Sequence, residues 1–228
     1  FDMYRYGTHY DARLEINGWC EAEFDDGGWK NVLSADAPDG DILKNMAQPI
    51  KTQYELKPVS IEKVGDFCYL KTSFYDGKDI ETTRVSEGYL YDFGKSRSGV
   101  CRLKIKGEAG QKITLRHTER LAEDGSFNFN CIYTFKDDYE NYIHLYQTDV
   151  YTLKGGEEEI FVPSFTYHGF RYVLVEGIKN EQATEDLLTF EVFNTDMKRR
   201  LHFECSNDTA NRLFEMGIAA DMSNFHYF

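Results

Sequence analysis

Two histidines are the first residues in this sequence that could do chemistry. His168 lies in the run FTYHGFRYVLVEG, where a His-Gly pair follows aromatic residues and precedes a strand pattern. A catalytic histidine needs a nucleophile or an orienting carboxylate beside it, and the sequence around His168 indicates neither. Because glycine lets the backbone bend and an imidazole can bond to nearby backbone, the pattern favours a structural role for His168. His117 and Glu119, in LRHTE, would share a strand face and could bind a metal ion, although a polar strand edge has the same pattern.

Acidic residues raise a second kind of chemistry, because glycoside hydrolysis needs two suitably spaced carboxyl groups. Asp25 and Asp26, residues 137–138 and residues 157–159 are each adjacent in sequence. Adjacency does not place two carboxyl groups across a sugar, and residues 157–159 are expected at the solvated tip of a turn. The sequence therefore indicates no catalytic pair, and motifs such as G-x-S-x-G and H-E-x-x-H are absent from it.

Composition excludes several classes of partner. The 228 residues carry a net charge of −13, which disfavours binding to nucleic acid or to an anionic membrane. No apolar run approaches the roughly 20 residues that span a bilayer. The five cysteines lie far apart without a C-x-x-C pair, so a cysteine-based zinc site is not indicated. This pattern favours a reducing compartment, and thus the cytoplasm over the periplasm or secretion.

Strand patterns dominate residues 59–194. In VCRLKIKG, the apolar residues Cys101, Leu103 and Ile105 alternate with basic ones, and KITLRH continues the inward apolar face. The intervening GEAGQ predicts a β-hairpin, and the Gly155-Gly156 turn predicts a second. Short strands without interposed helices indicate a mainly β protein, built as an antiparallel β-sandwich.

The flanking segments and one internal segment lack this strand pattern. Residues 1–58 contain irregular stretches and are predicted to close a preceding module. Residues 117–149 lack periodicity, which indicates either a functional loop or a long loop with one short strand near residues 131–135. Between Ala210 and Phe225, apolar residues recur at helical spacing, with Ser206 or Asn207 as the N-cap. We expect this helix either to begin a missing helical domain or to fold back on the sandwich.

Four ordered motifs carry a resemblance to a known family. They are YDARLEINGW with FDDGGWKNV, YLYDFGKSRSGVCRLKIKGEAGQKITLRHTERLAEDGSF, TDVYTLKGGEEEIFVPSFTYHGFRYVLVEG and FECSNDTANRLFEMGIAADMSNF. Together they resemble bacterial α-L-rhamnosidases of glycoside hydrolase family 78. The segment between His117 and Asp149 is more elaborate than the family pattern.

The resemblance implies a modular enzyme. Residues 1–58 would be the end of a carbohydrate-binding-like β-sandwich and a linker, and residues 59–198 a concanavalin-like, jelly-roll β-sandwich. Residues 199–228 would be a linker and the first helix of a truncated (α/α)6 barrel. Family members remove terminal α-L-rhamnose with inversion, using carboxyl groups of the barrel. No catalytic residue is therefore assigned to this chain, which is expected to be inactive alone.

The resemblance also implies a sugar site, because some family members bind rhamnose through calcium in the N-terminal sandwich. The candidate carbohydrate-binding residues are Trp19, Trp29, Tyr139 and Tyr142, and the candidate calcium ligands are Asp25 and Asp26. The two tryptophans could instead plug the end of a sandwich. No cofactor other than calcium is expected, and the expected partners are rhamnosides and the catalytic barrel of the same polypeptide. The alternatives are a carbohydrate-binding module, or a protein-interaction scaffold that uses residues 137–146.

Overall fold

The protein is built almost entirely of β-strands. The computed structural model describes residues 2–3, 6–37, 39–68, 71–73, 79–81, 84–128 and 146–226. In chain order, the strands are β1 Asp2–Met3, β2 Gly7–Asp11, β3 Ile50–Leu56, β4 Ser60–Cys68, β5 Lys71–Ser73, β6 Asp79–Glu81, β7 Arg84–Ile105, β8 Lys112–Thr118, β9 Thr148–Thr152, β10 Glu159–Phe161, β11 His168–Glu176 and β12 Leu188–Thr195. Single 3-10 turns cover Ala12–Leu14 and Asn180–Gln182, and one α-helix, α1, covers Asp208–Asn224.

Ten of the described strands form one curled sheet. Its order is β1-β2-β9-β8-β11-β7-β12-β3, with β4 and β10 also paired to β7, while β5 and β6 pair with each other. Among the described pairs, only β2 and β9 run parallel, with His9 opposite Val150. The predicted mainly β class with a C-terminal helix is confirmed, with this one parallel pair added.

Strand β7 gives the sheet its curl. Over Tyr89–Asp92 this 22-residue strand pairs with β4 and β11, whereas over Val100–Ile105 its partners are β12 and β10. Between these halves the register with β11 shifts, and Gly94 adopts a φ of +73°. The Asp92 carboxylate accepts the Gly94 amide proton at 2.6 Å, which holds the irregularity in place. One strand thus serves both layers of the fold.

The core lies inside the curl. Cys101, Leu103 and Ile105 on β7, together with Ile113 and Leu115 on β8, are buried as their alternation predicted. Aromatic rings fill the space beside them, where Phe190 stacks on Phe170 and meets the edge of Phe93. Each such side chain contributes about 1.5–3 kcal/mol by its removal from water.

Neither predicted hairpin is formed. Strand β8 pairs with β9 and β11 rather than with β7, and β10 pairs with β7 rather than with β9. The turns at residues 107–111 and 155–156 instead connect strands that are not paired with each other. These two turns lie in close contact, because a Cβ on Gly155 would be 2.5 Å from the Ala109 nitrogen. The sequence predicted the faces of these strands but not their partners, because a period of two carries no information on pairing.

The acidic run at the second turn is only partly solvated. Glu157 and Glu158 are exposed as predicted, but Glu159 is buried. Its carboxylate accepts the hydroxyl proton of Tyr151 at 2.9 Å and the amide protons of Lys154 and Gly155 at 3.0 and 2.9 Å. The solvated-tip prediction is therefore wrong for Glu159, because this carboxylate closes the turn from inside.

The first 58 residues contribute three strands to the curled sheet, of which β1 pairs with β2 at one edge. Strand β2 pairs with β9, and β3 pairs with β12 at the far edge. The residues between 15 and 49 lie largely outside regular elements and are mostly exposed. The domain boundaries at residues 58 and 198 stay a prediction.

Helix α1 folds back on the sheet. The Asn207 side chain accepts the Ala210 amide proton at 3.1 Å, which makes Asn207 the N-cap. The helix packs against β12 and β7, and the Phe225 carbonyl after its last turn accepts the Thr195 amide proton at 2.8 Å. Within the described part of the chain, no helix has both the length and the apolar character needed to cross a membrane.

We expect Gly177→Ala to destabilise the fold by about 3 kcal/mol or more. Gly177 follows β11 with a φ of +82°, and an added Cβ would collide with the Lys112 carbonyl oxygen. Gly156→Ala is the matched control, because Gly156 has a φ of +101° but open space around it. That change should cost only the backbone strain of about 1–2 kcal/mol. Equal losses for the two variants in urea unfolding would contradict the close approach of β11 to β8.

Candidate functional site

A buried polar cluster joins three strands at one end of the sheet. His117 comes from β8, Asp149 from β9 and His168 from the start of β11, and all three side chains are buried. The His168 Nε2 atom lies 3.1 Å from Asp149 Oδ2, and His117 Nε2 lies 3.9 Å from the same oxygen. The two imidazole rings face each other with centroids 4.5 Å apart. Asp149 is thus the orienting carboxylate that the local sequence around His168 does not indicate.

Two further polar atoms of this His117–Asp149–His168 cluster are held by backbone groups. Asp149 Oδ1 accepts the Thr8 amide proton at 2.8 Å, and His117 Nδ1 lies 2.8 Å from the Gln147 carbonyl oxygen. Because a carbonyl oxygen can only accept, Nδ1 carries the proton of His117. In the neutral ring, Nε2 therefore presents its lone pair to Asp149.

Burial sets the charges within the cluster. It lowers the pKa of His117 to about 3, with the neighbouring His168 acting in the same direction, so His117 is neutral near pH 7. Burial alone would raise the pKa of Asp149, but His168, His117 and the Thr8 amide outweigh it and the pKa is lowered. The cluster therefore contains a carboxylate beside a neutral imidazole.

Two unusual backbone positions support the cluster. Gln147 has a φ of +45°, which side-chain-bearing residues rarely adopt, and its amide oxygen accepts the Gly169 amide proton at 3.0 Å. The Gln147 amide nitrogen also donates to the His117 carbonyl at 3.3 Å, so one side chain links β8 to β11. Gly7 has a φ of +113°, and a Cβ there would lie 2.7 Å from Asp149 Oδ1 and closer still to the Thr148 carbonyl. Only glycine fits beside Asp149.

The chemistry open to this cluster is limited by its burial. A substrate cannot reach His168 directly, so the arrangement can orient groups, hold charge or bind an ion. His117 and Glu119, which the sequence left open as a metal pair or a polar strand edge, do not share a strand face, because β8 ends at Thr118 and Glu119 is exposed beyond it.

The two predicted tryptophans line one surface depression. It has a volume of about 510 Å³ and is walled by Tyr10, residues 14–20 and Trp29. Trp19 is 61% exposed and Trp29 51% exposed, and Trp29 meets the edge of Phe24 at 5.5 Å. The structure thus brings Trp19 and Trp29 together with their rings accessible, as a sugar-stacking site requires.

The other predicted site residues are not brought together in the same way. Asp25 Oδ1 accepts the Gly27 amide proton at 3.0 Å within its own turn. In the part of the chain that the structure describes, three or more His, Cys, Asp or Glu ligand atoms converge only at His117, Asp149 and His168. A calcium site at Asp25 and Asp26 would need further oxygen ligands and stays a prediction. Tyr139, Tyr142 and residues 137–145 lie outside the described residues, and Tyr146, the last residue of the 137–146 loop, is buried.

A second depression adjoins the first and was missed by sequence reasoning. It has a volume of about 460 Å³, is lined by strands β2, β9 and β10, and includes the 83% exposed Phe165. Tyr10 and Glu15 line both depressions, and Tyr10 stacks on Tyr151. The available signal was Phe165, which ends the run FVPSF and begins FTYHGFRY. Composition does not distinguish an exposed phenylalanine from a phenylalanine in the core.

Comparison with known proteins relates this chain to one family. The family model described as the bacterial α-L-rhamnosidase concanavalin-like domain matches residues 82–193, and the α-L-rhamnosidase N-terminal domain matches residues 2–54. An α-L-rhamnosidase from Streptomyces avermitilis is 33% identical over 96% of this chain and 18% of its own length. One from Formosa agariphila is 27% identical over 96% of this chain and 20% of its own length.

Solved structures agree with this relationship. The α-L-rhamnosidase from Dictyoglumus thermophilum aligns with a TM-score of 0.77 and 30% identity over 97% of this chain and 22% of its own. The Streptomyces avermitilis α-L-rhamnosidase complexed with L-rhamnose aligns with a TM-score of 0.71 and 29% identity over 99% of this chain and 19% of its own. The fold and both matched regions define a β-sandwich of the glycoside hydrolase class. The chain belongs to the bacterial α-L-rhamnosidase family, and it spans about a fifth of the length of the relatives it matches.

We expect Asp149→Asn to destabilise the chain by about 3–5 kcal/mol, because it weakens two buried hydrogen bonds to a charged group, from His168 and from the Thr8 amide, and each such bond contributes about 1.5–3 kcal/mol. Asp196→Asn is the matched control, since Asp196 pairs with Lys51 at the surface and such pairs contribute at most about 1 kcal/mol. Denaturant unfolding at pH 7 measures both. Losses that agree within about 0.5 kcal/mol would show that the Asp149 contacts do not hold the strands together.

Proposed function

We propose that this chain is the non-catalytic β-sandwich portion of an enzyme that removes terminal α-L-rhamnose from glycans or glycosides by inverting hydrolysis. The proposal that this chain is non-catalytic rests on the pKa values of its carboxyl groups. An inverting glycosidase needs one carboxyl group that keeps its proton near neutral pH, and hence one with a raised pKa. In the described residues, every carboxyl pKa that departs from its ordinary value is lowered. These groups are Asp11, Glu15, Glu55, Asp92, Glu108, Asp149 and Glu215.

The causes of these shifts indicate structural ion pairs. Hydrogen bonds from arginine are the leading cause of the lowered pKa at Asp11, Glu55 and Glu215. A carboxylate fixed to an arginine is a poor proton donor, because the neighbouring positive charge favours its ionised form. This supports the placement of the proton-transferring groups outside the described residues.

The substrate class rests on the relatives. Both family models describe α-L-rhamnosidase domains, the similar proteins reported above are α-L-rhamnosidases, and one similar structure is a complex with L-rhamnose. Because this chain covers about a fifth of those proteins, the rhamnosidase activity is proposed for the larger polypeptide and not for this segment alone.

The sandwich itself would act as a support for the catalytic barrel. Helix α1 is fixed to the sheet by its packing on β12 and by the His226 ring, which stacks on Tyr167 with centroids 4.1 Å apart. Its opposite side leaves Leu213 and Met216 exposed. An apolar helix face held in one orientation is suited to pack against further helices of the same polypeptide.

Assays with an aryl α-L-rhamnoside test this division of roles. The 228-residue chain should give no turnover above the buffer rate, whereas the longer gene product that contains it should be active. Proton NMR should detect the β anomer of rhamnose first, because inversion at an α-linked sugar produces it. Circular dichroism of the short chain provides the control that it is folded. Turnover by the short chain that disappears with one carboxyl-to-amide change within it would contradict the proposal.

A second candidate function is carbohydrate binding at the depression that contains Trp19 and Trp29. The supporting observation is that both rings are exposed in one concave surface beside Tyr10. A sugar presents an apolar face that stacks on such rings. Asp25 and Asp26 lie in the turn before Trp29 and would provide oxygen ligands if calcium takes part.

Calorimetric titration with L-rhamnose, with and without calcium, tests this candidate. We expect saturable heat, and binding that is at least about tenfold weaker in Trp19→Ala and Trp29→Ala. Phe165→Ala is the control, because Phe165 is an exposed aromatic residue that lines only the neighbouring depression. A titration without saturable heat, or equal losses in all three variants, would exclude this site.

A further inference from the structure

We propose that His117, Asp149 and His168 bind one divalent transition-metal ion, with zinc preferred, as a structural metal site. The three potential ligand atoms lie within 4.8 Å of one another and come from three different strands. The proposal does not depend on the rhamnosidase function, and it concerns a different part of the chain from the predicted calcium ligands Asp25 and Asp26.

The first argument is an electrostatic conflict inside the cluster. The His117 Nε2 atom is buried and has no hydrogen-bond partner among the described residues. Its lone pair faces Asp149 Oδ2 at 3.9 Å, because the proton of the neutral ring is committed to the Gln147 carbonyl. Two acceptors that face each other in a dry environment repel, and an unsatisfied buried nitrogen is costly. A cation between them would satisfy both lone pairs.

The second argument is the set of groups behind the ligand atoms. Histidines that bind metals usually donate their other ring N–H to a backbone carbonyl or a carboxylate, and the bound carboxylates are themselves hydrogen-bonded. His117 Nδ1 meets the Gln147 carbonyl and Asp149 Oδ1 meets the Thr8 amide in this manner. The strained backbone of Gln147 is a further sign, because such strain persists where the surroundings enforce a particular geometry.

The donor set identifies the ion. Two imidazole nitrogens and one carboxylate oxygen suit zinc, with bond lengths of about 2.0–2.2 Å and with water able to fill a fourth position. Ligand atoms on a tetrahedral zinc ion lie about 3.3 Å apart at those bond lengths. The distances from Asp149 Oδ2 to the two histidine nitrogens, 3.1 and 3.9 Å, are close to that value. Zinc would displace the proton through which His168 Nε2 bonds to Asp149 Oδ2, and that proton would be released to solvent.

Burial indicates what the ion would do. None of the three side chains is accessible to a substrate, so the ion would tie strands together and take no part in a reaction. Strands β8, β9 and β11 provide the ligands, and β2 is attached through the Thr8 amide.

Metal analysis of the full chain tests the proposal. After exposure to zinc and dialysis against metal-free buffer, the chain should retain about one zinc ion per molecule by mass spectrometry. His117→Gln and His168→Gln should reduce this to background, while His202→Gln should retain it, because His202 is exposed and remote from the cluster in sequence. Absence of zinc from the unsubstituted chain would overturn the proposal. Zinc that is retained by both cluster variants would also overturn it, because it would be an adventitious ion only.

A second measurement guards against variants that fail to fold. Cobalt in place of zinc in the unsubstituted chain should give visible absorption bands of a four-coordinate ion. A strong chelator should abolish these bands and lower the Tm of the zinc-loaded chain by several degrees, with recovery when zinc is restored. Cobalt bands that fail to appear, together with a Tm that the chelator leaves unchanged, would contradict the site independently of any substitution.

Discussion

The hydrogen bonding of the buried Asp149 carboxylate is the interaction on which the rest of the structure depends. A buried charge is tolerated only where its surroundings compensate it, and here His168 and the Thr8 amide do so. This requirement brings the first described strands against the sheet, in a parallel pairing that contrasts with the antiparallel pattern elsewhere. It also explains Gly7, because any side chain there would displace the carboxylate or the backbone beside it. The carboxylate thus adds a buried side-chain connection to the β2–β9 pairing between the N-terminal segment and the sheet.

The long strand β7 extends this connection to the opposite side of the molecule. Its first half pairs with β11, which begins at His168, and its second half pairs with β12, on which helix α1 packs. Elements from the two ends of the chain are therefore fixed to one continuous sheet. Such a unit is suited to support a neighbouring domain, and the buried contacts of Asp149 are consistent with stability as its main contribution.

Local sequence patterns predicted the fold class better than the connections within it. Alternation identified the buried face of Cys101, Leu103 and Ile105. Capping chemistry left Ser206 and Asn207 as N-cap candidates, and the structure uses Asn207. Strand partners were predicted wrongly at both turns, since alternation is the same for a hairpin and for a crossing between layers. Trp19 and Trp29 were predicted as a pair and share one depression. The buried cluster was not predicted, because 31 residues lie between His117 and Asp149 and nothing local links Asp149 to His168.

Native-state hydrogen exchange of the Thr8 amide tests the central claim most directly. If the Asp149 carboxylate holds the N-terminal strand to the sheet, the Thr8 amide should exchange as slowly as the interior amides of β11, because both would exchange only through global unfolding. It should do so although it lies within ten residues of the first residue, Phe1. Exchange of Thr8 at the rate of an exposed turn amide, such as that of Gly28, would show that the strand opens independently and that Asp149 does not hold it to the sheet.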